Sequence, residues 1–364
     1  MASTTTNYGF DVPTSSDLVK NGATAISTLG QDLDTFLFRP FTRNGILNGS
    51  FNVWQRGTSF AISGTQAYTA DRWQGRTTSA VTSNFSRQLT NDTTNLPNIQ
   101  YAMRVQRASG QTATPLMIIE QSWESVNSIP YAGKIITMSF YARAGANFSS
   151  ASSGLVSQLR EGTGTDQNIA AGYTGSSAVI NQTITLTTTW QRFTFTGTVA
   201  SNSTELGLQF YYTATGTAGA SDYFEITGVM IEIGNQASPY APATPTYATE
   251  LAACQRYYYR TTSTVSYQML SSFGTGKGTT QGLVDVKVPS TMRTIPTSVD
   301  FANVALYDYT NAALAITALT VDAYATPNDP FLLATVASGV TALRAYGIVA
   351  NGTVGAYVGV SAEL

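Results

Sequence analysis

The chain contains no histidine. That absence removes Ser-His-Asp and Cys-His nucleophile pairs, zinc–histidine sites and the commonest general base together, so most hydrolase mechanisms are closed to it. A single cysteine, Cys254, excludes an intrachain disulfide. Charge is scarce as well. Charged residues make up 11%, and 19 Lys plus Arg against 21 Asp plus Glu leave a net −2, where an ordinary soluble domain carries about 25% charged residues. Without a basic cluster there is no electrostatic footprint for a phosphate backbone or an anionic membrane surface, so neither nucleic acid nor membrane insertion is expected. No apolar run approaches the roughly 18 residues of a spanning helix, and MASTTTNYGF lacks the n-region and h-region of a secretory signal. These absences predict a soluble chain that does not use the Sec route.

Thr, Ser, Asn and Gly supply the polarity instead, a mixture that suits pleated, half-exposed sheet faces and tight turns. With 364 residues, the chain exceeds the roughly 250–300 at which one hydrophobic core stops growing, so two or more units are expected. Residues 13–37 hold the clearest helical period, with Leu18, Gly22, Ile26, Leu29, Leu33 and Phe36 spaced by three or four. Thr14, Ser15 or Ser16 can cap this helix, and Pro40 stops it. So thin an apolar stripe predicts packing against identical copies, though it does not set their number.

From about residue 44 the period becomes two, beginning with GILNGSFNVWQRGTSF. RFTFTGTVA places Phe193, Phe195 and Val199 opposite its threonines, and ELGLQFYY alternates Leu206, Leu208, Phe210 and Tyr212 with polar or small partners. Turn signals at Asn44-Gly45, Asn48-Gly49 and Ser63-Gly64, with no long helix between strands, predict an antiparallel sandwich of jelly-roll size. SPYAPATPTYATELAACQRYYYR then reads as a stiff connector leading into a short helix with Pro245 in its first turn and Leu251, Cys254 and Tyr258 on one face. Cys254 reads as a small buried apolar residue. GLVDVKV, ALTVDAYA and GAYVGVSAEL make a second, smaller β block.

Chemistry is thinly represented. A carboxylate pair of the glycosidase kind would draw on Glu120 with Glu124, Glu225 with Glu232, or Asp300 with Asp322, but spacing selects none of them, and solvated sheet faces explain them better. SSFGTGKGTTQG fails the phosphate-loop spacing and reads as a mobile loop. Asp71, Asp222, Glu225 and backbone oxygens near Asn48 are hard oxygen ligands of the kind a structural calcium takes, yet no dense Asp/Asn loop supports one, and no cofactor is expected. Aromatic rings beside Asn, Gln, Thr and Ser are the ingredients of sugar binding. Trp54, Trp73, Trp123 and Trp190 sit within strand patterns and read as core. Tyr267, Tyr307, Tyr309, Tyr324, Tyr346 and Tyr357 are the surface candidates.

YGFDVPTSSDLVKNGATAISTLGQDLD, NGSFNVWQRGTSF with YTADRW, and IEIGNQASPYAPATPTYATELAACQRYYYR together resemble bacteriophage tail fibre and minor tail proteins. The resemblance implies a mainly β chain. Its parts would be a virion-attachment segment and helix in a trimeric bundle (residues 1–42), a jelly-roll sandwich similar to carbohydrate-binding modules (43–240), a Pro-rich linker and neck helix (241–260), and a smaller C-terminal β-sandwich (261–364). It implies that Tyr8, Phe10, Val12, Pro13 and Leu18 dock on a tail or baseplate protein. Leu18, Ile26, Leu29 and Leu33, with Leu251 and Tyr258 of the neck, would hold a homotrimer together, and the distal tyrosines would meet a host-surface glycan. Trp54, Arg56, Asp71, Arg72 and Trp73 would be scaffold. The expected location is the virion, after synthesis in the host cytoplasm, and the expected role is non-enzymatic. An architectural spacer or a glycan-degrading tailspike are the alternatives. A truncation after residue 245 is expected to stay assembled and stop binding cells.

Overall fold

The computed structural model describes residues 3–4, 11–12, 19–38, 44–79, 81–310 and 313–364. Ser3–Thr4 pairs antiparallel with Asp11–Val12, and Val19–Phe38 is one helix. The attachment residues Tyr8, Phe10, Pro13 and Leu18, and the capping residues Thr14, Ser15 and Ser16, lie outside the described residues. On the helix, Ile26 and Leu33 are 65% and 41% exposed, and Leu29 is half-buried. No helix among the described residues is long and apolar enough to cross a membrane.

The body is a sandwich of two six-stranded antiparallel sheets. One runs in the order Ser177–Thr185, Gly154–Gly162, Glu205–Thr213, Leu116–Ser122, Gln74–Thr77, Gln66–Tyr68. The other runs Gln191–Thr198, Ile135–Ala144, Tyr223–Ile233, Tyr101–Arg107, Thr82–Leu89, Ser59–Ser63. Alternation decides what lies between them. Leu206, Leu208 and Phe210 face inward with Trp73, Phe85, Phe140 and Phe224 in one continuous core, and the Phe140 and Phe210 rings meet edge-on at 4.7 Å.

Two local readings change. Residues 44–58 are not strand, and the sandwich begins at Ser59. Asn48 and Phe51 turn through left-handed backbone at φ 55° and 53°. The Asn48 amide donates to Val53 O at 2.8 Å and Asp71 O at 3.0 Å and accepts from Val53 N at 2.9 Å, so side-chain bonds replace a strand ladder. SSFGTGKGTTQG is not a loop throughout. Gly274–Lys277 pairs with Gln281–Asp285 as a hairpin.

The distal block is built around a closed barrel in the order Gly274–Lys277, Gln281–Asp285, Phe331–Val336, Leu314–Val321, Val304–Tyr307, Ala345–Ala350, the last strand pairing back to the first. A three-stranded sheet of Tyr258–Thr262, Tyr357–Ser361 and Ser298–Ala302 packs with it around a second core.

The neck helix spans Tyr247–Gln255. Thr246 is its cap, with a reciprocal bond to Thr249, so Pro245 precedes the helix rather than occupying its first turn. Tyr258 therefore begins a strand. It is 1% exposed and its hydroxyl bonds Asp300 at 3.0 Å, so it is buried within one chain and offers no face to another copy. Leu251 is half-buried.

The signature motifs converge at the joint between body and distal block. Arg72 pairs with Glu363, donates to Ser122 O at 2.6 Å and lies 3.6 Å from the centroid of the Tyr257 ring. Arg56 reaches Glu363 at 3.4 Å and covers the Tyr258 ring at 3.5 Å. Gln55 Nε2 donates to Tyr258 O at 2.7 Å, and Arg260 answers with a bond to Arg56 O at 2.6 Å. Arg256 grips both Glu124 oxygens at 3.1 and 2.9 Å. On the neck helix, Glu250 accepts from Asn48 N at 2.9 Å, while Cys254 is buried and desolvation pushes its thiol up. Arg56, Asp71 and Arg72 are scaffold in this direct sense, because they bind the body to the distal block.

Asp71 makes the joint pH-sensitive. Burial pushes its carboxyl up to about 6, against the opposing pull of the Arg56 guanidinium and the bonds from Gln55. An unfolded aspartate titrates near 3.8. The group's contribution is therefore complete below about pH 4 and lost as pH rises through about 6, roughly 3 kcal/mol in all. Asp71→Asn has no such proton to lose, so its stability relative to wild type is expected to improve by about that amount between pH 4 and pH 7 in urea melts. An unchanged difference at the two pH values would contradict the assignment.

Candidate functional site

The outer face of the first sheet carries a polar row across five strands. Register aligns Gln74 with Glu120, Glu120 with Gln209, Gln209 with Gln158, and Gln158 with Asn181. These residues alternate with Met117, Ile119, Leu208 and Phe210, which face the core, so strand period alone turns them outward. At about 4.8 Å between strands, the row spans about 19 Å. Glu120 lies fully buried in the row, and Gln74, Gln158 and Gln209 are 6–8% exposed. Gln209 Nε2 donates to Glu120 Oε2 at 2.6 Å, and Arg76 Nε to Oε1 at 3.3 Å.

Gln74 Oε1 has no partner although it is buried, a state that costs roughly 1–3 kcal/mol unless a ligand or water donates to it. Alongside runs a second row, Arg76, Ile118, Tyr211, Val156 and Thr183, in which Tyr211 is half-buried. Each amide offers a donor and an acceptor on adjacent atoms, which suits neighbouring hydroxyls, while Ile118 and Tyr211 present apolar surface.

The distal tyrosines do not form one site. Tyr307 and Tyr309 meet, with ring centroids 4.9 Å apart, and Phe273, absent from the sequence-derived candidates, joins them 5.7 Å from Tyr309. Tyr309 is 64% and Phe273 50% exposed. Tyr307 stands opposite Gly347. A Cβ at Gly347 would come within 2.6 Å of Met269 Sδ, so glycine is what lets Met269 and Phe273 lie over this strand. Asp308 and Arg344 pair beside the rings at 3.0 Å. Tyr324 and Tyr267 are exposed in separate loops, and Tyr357 lies half-buried, 3.1 Å from the Arg260 guanidinium. Tyr346 is a correction. It is 1% exposed and its hydroxyl accepts from Thr341 N, because strand parity turns it into the barrel with Ile348.

No family model matches this chain, and no curated protein does. Among solved structures it is similar to the enzymatically active domain of tailspike protein 4 of bacteriophage CBA120, at 16% identity over 52% of this chain and 21% of that one, with a TM-score of 0.33. It is also similar to the CBM22-1 xylan-binding domain of Paenibacillus barcinonensis Xyn10C, at 11% identity over 54% of this chain and 97% of that one, with a TM-score of 0.31. A CBM4 structure matches at 17% identity over 51% of this chain and 98% of that one, with a TM-score of 0.30.

The carboxylates considered for catalysis are each engaged separately. Glu120 is tied to Arg76 and Gln209, Glu124 to Arg256, Glu225 to Arg104 and Arg143, Glu232 to Ser238, Asp300 to Tyr258, and Asp322 to the Tyr324 backbone. The oxygens considered for calcium do not converge either. Asp71 accepts from Gln55, Asp222 from Arg107 and Ser149, and the described residues contain no cluster of three or more His, Cys, Asp or Glu able to hold a metal. All four tryptophans are buried, at 0–9% exposure.

Proposed function

We propose that this chain is the subunit of a homotrimeric bacteriophage tail fibre that attaches the virion to a host-surface glycan without cleaving it. The observation that carries the glycan reading is the polar row Gln74, Glu120, Gln209 and Gln158, with its buried unpartnered Gln74 oxygen, laid beside Tyr211 and Ile118. The exposed rings of Phe273, Tyr307 and Tyr309 supply a second contact on the distal barrel. The exposed Ile26 and Leu33 support assembly through the helix, and the resemblance of the N-terminal and WQRG, ADRW and CQRYYYR segments to tail fibres supports the virion role. Three copies per fibre raise the effective concentration, so individually weak sugar contacts suffice.

The test begins with the full chain on a printed array of bacterial surface oligosaccharides, followed by titration of the strongest binder. Gln158→Ala is expected to weaken that binder about tenfold, the equivalent of 1.4 kcal/mol. Its melting temperature should hold, since the bond to the Gln158 side chain is a long one, 3.4 Å from Arg160. An array with no binder would sink the glycan reading, and a monomer by light scattering would sink the trimer.

A further inference from the structure

The outer face of the second sheet carries a different chemistry. Arg104, Glu225 and Arg143 lie side by side on three neighbouring strands. Glu225 is fully buried and accepts from Arg104 Nε at 2.8 Å and from Arg143 Nε at 2.5 Å. Each guanidinium rests on a ring, Arg104 at 3.9 Å from the Tyr223 centroid and Arg143 at 4.8 Å from that of Trp190. Ring and carboxylate together fix both arginines, whose side chains are still 22% and 23% exposed. One more arginine, Arg192, faces Tyr141 on the next strand.

Donors outnumber acceptors here. Two arginines share one carboxylate, so the row holds one positive charge in surplus. Glu225 takes Nε and Nη2 of Arg104 and Nε of Arg143, which leaves the Nη1 group of Arg104 and both Nη groups of Arg143 to solvent. Trp190 Nε1 and Arg192 Nε are buried with no acceptor, and Trp190 is only 5% exposed. The nearby acid Asp92 is already held by Thr94 and Asn95. A structural ion pair needs one arginine, whereas two rigid guanidiniums about 10 Å apart, two strand spacings, suit a ligand that presents repeated anionic acceptors. The amide row on the opposite sheet, by contrast, balances donors with acceptors.

We infer that this face binds an anionic polysaccharide, whose carboxylate or phosphate oxygens accept from Arg104, Arg143 and the donors around Trp190. The inference stands apart from the neutral-glycan reading of the amide row, because it concerns the opposite sheet. In 50 mM salt, the full chain is expected to bind immobilised polygalacturonate, poly(glycerol phosphate) or both, and not dextran. Which polymer binds identifies carboxylate or phosphate as the group read. Affinity should fall tenfold or more at 500 mM salt. Arg143→Gln leaves Glu225 paired with Arg104, so the fold should be retained while polyanion affinity falls about tenfold and the Gln158-dependent array signal is unchanged. No binding to either polyanion at 50 mM salt would overturn the inference, as would binding that survives both Arg143→Gln and Arg104→Gln undiminished. Loss of the array signal in Gln158→Ala alone bears only on the other face.

Discussion

Arg72→Ala is expected to destabilise the protein by about 3–5 kcal/mol, the range for removing one partner of a buried ion pair. Glu363 is left 4% exposed with only Arg56 at 3.4 Å, Ser122 O loses its donor, and the Tyr257 ring loses the guanidinium that covers it. Because this pair joins the body to the distal block, the loss should also divide unfolding into two calorimetric transitions. Arg72→Lys, which keeps the charge but not the forked geometry, should recover part of the stability. A change below about 1 kcal/mol in denaturant titration would mean that the joint is held by packing rather than by this pair.

Removal of everything after Pro245 is expected to abolish folding of the body rather than release it intact. The sequence suggests the opposite, since three prolines in an extended stretch look like a free boundary. In the structure, Tyr240 of that stretch packs with Trp190, Leu96 and Ile99, and Asn44 Nδ2 bonds Ala241 O at 2.9 Å. The cut would strip Arg256 and Tyr257 from Glu124, Glu363 from Arg72 and Arg56, and Glu250 from the Asn48 backbone. Each uncompensated buried charge costs about 3–5 kcal/mol, and two of them approach the entire 5–15 kcal/mol by which a typical domain is stable. Residues 1–245 should therefore aggregate or melt far below the full chain. A fragment that stays soluble and melts at the full chain's temperature would refute the interlocked joint.

Strand content is legible because period two is a local property. RFTFTGTVA and ELGLQFYY declare one apolar face each, and the structure buries Leu206, Leu208 and Phe210 and packs Phe193 and Phe195 against the same core. The stretch around Asn48 misleads because alternating residues can also be held by a side chain that bonds the backbone, and the two patterns look alike in sequence. Among the tyrosines, only parity within a strand separates Tyr346 inside the barrel from Tyr307 at its surface, and parity cannot be set until the strand is placed against its neighbours. Phe273 carries no signal because it lies just before a glycine-rich stretch that reads as a loop.

The polar row shows the same division. Gln209 bonds Glu120 from 89 residues away, and nothing near either residue marks the other as a partner. Composition and local period, which the sequence holds by itself, determined a mainly β chain, an amphipathic N-terminal helix, and the lack of any imidazole for catalysis or metal binding. Tertiary structure alone decided which strands became neighbours. It thereby decided which glutamines line up, which arginines share Glu225, and that WQRG, ADRW and CQRYYYR close one joint. The reason is that apolar alternation selects the face a side chain takes, whereas its partners across a sheet or a joint come from chain closures over long distances, which no local pattern encodes.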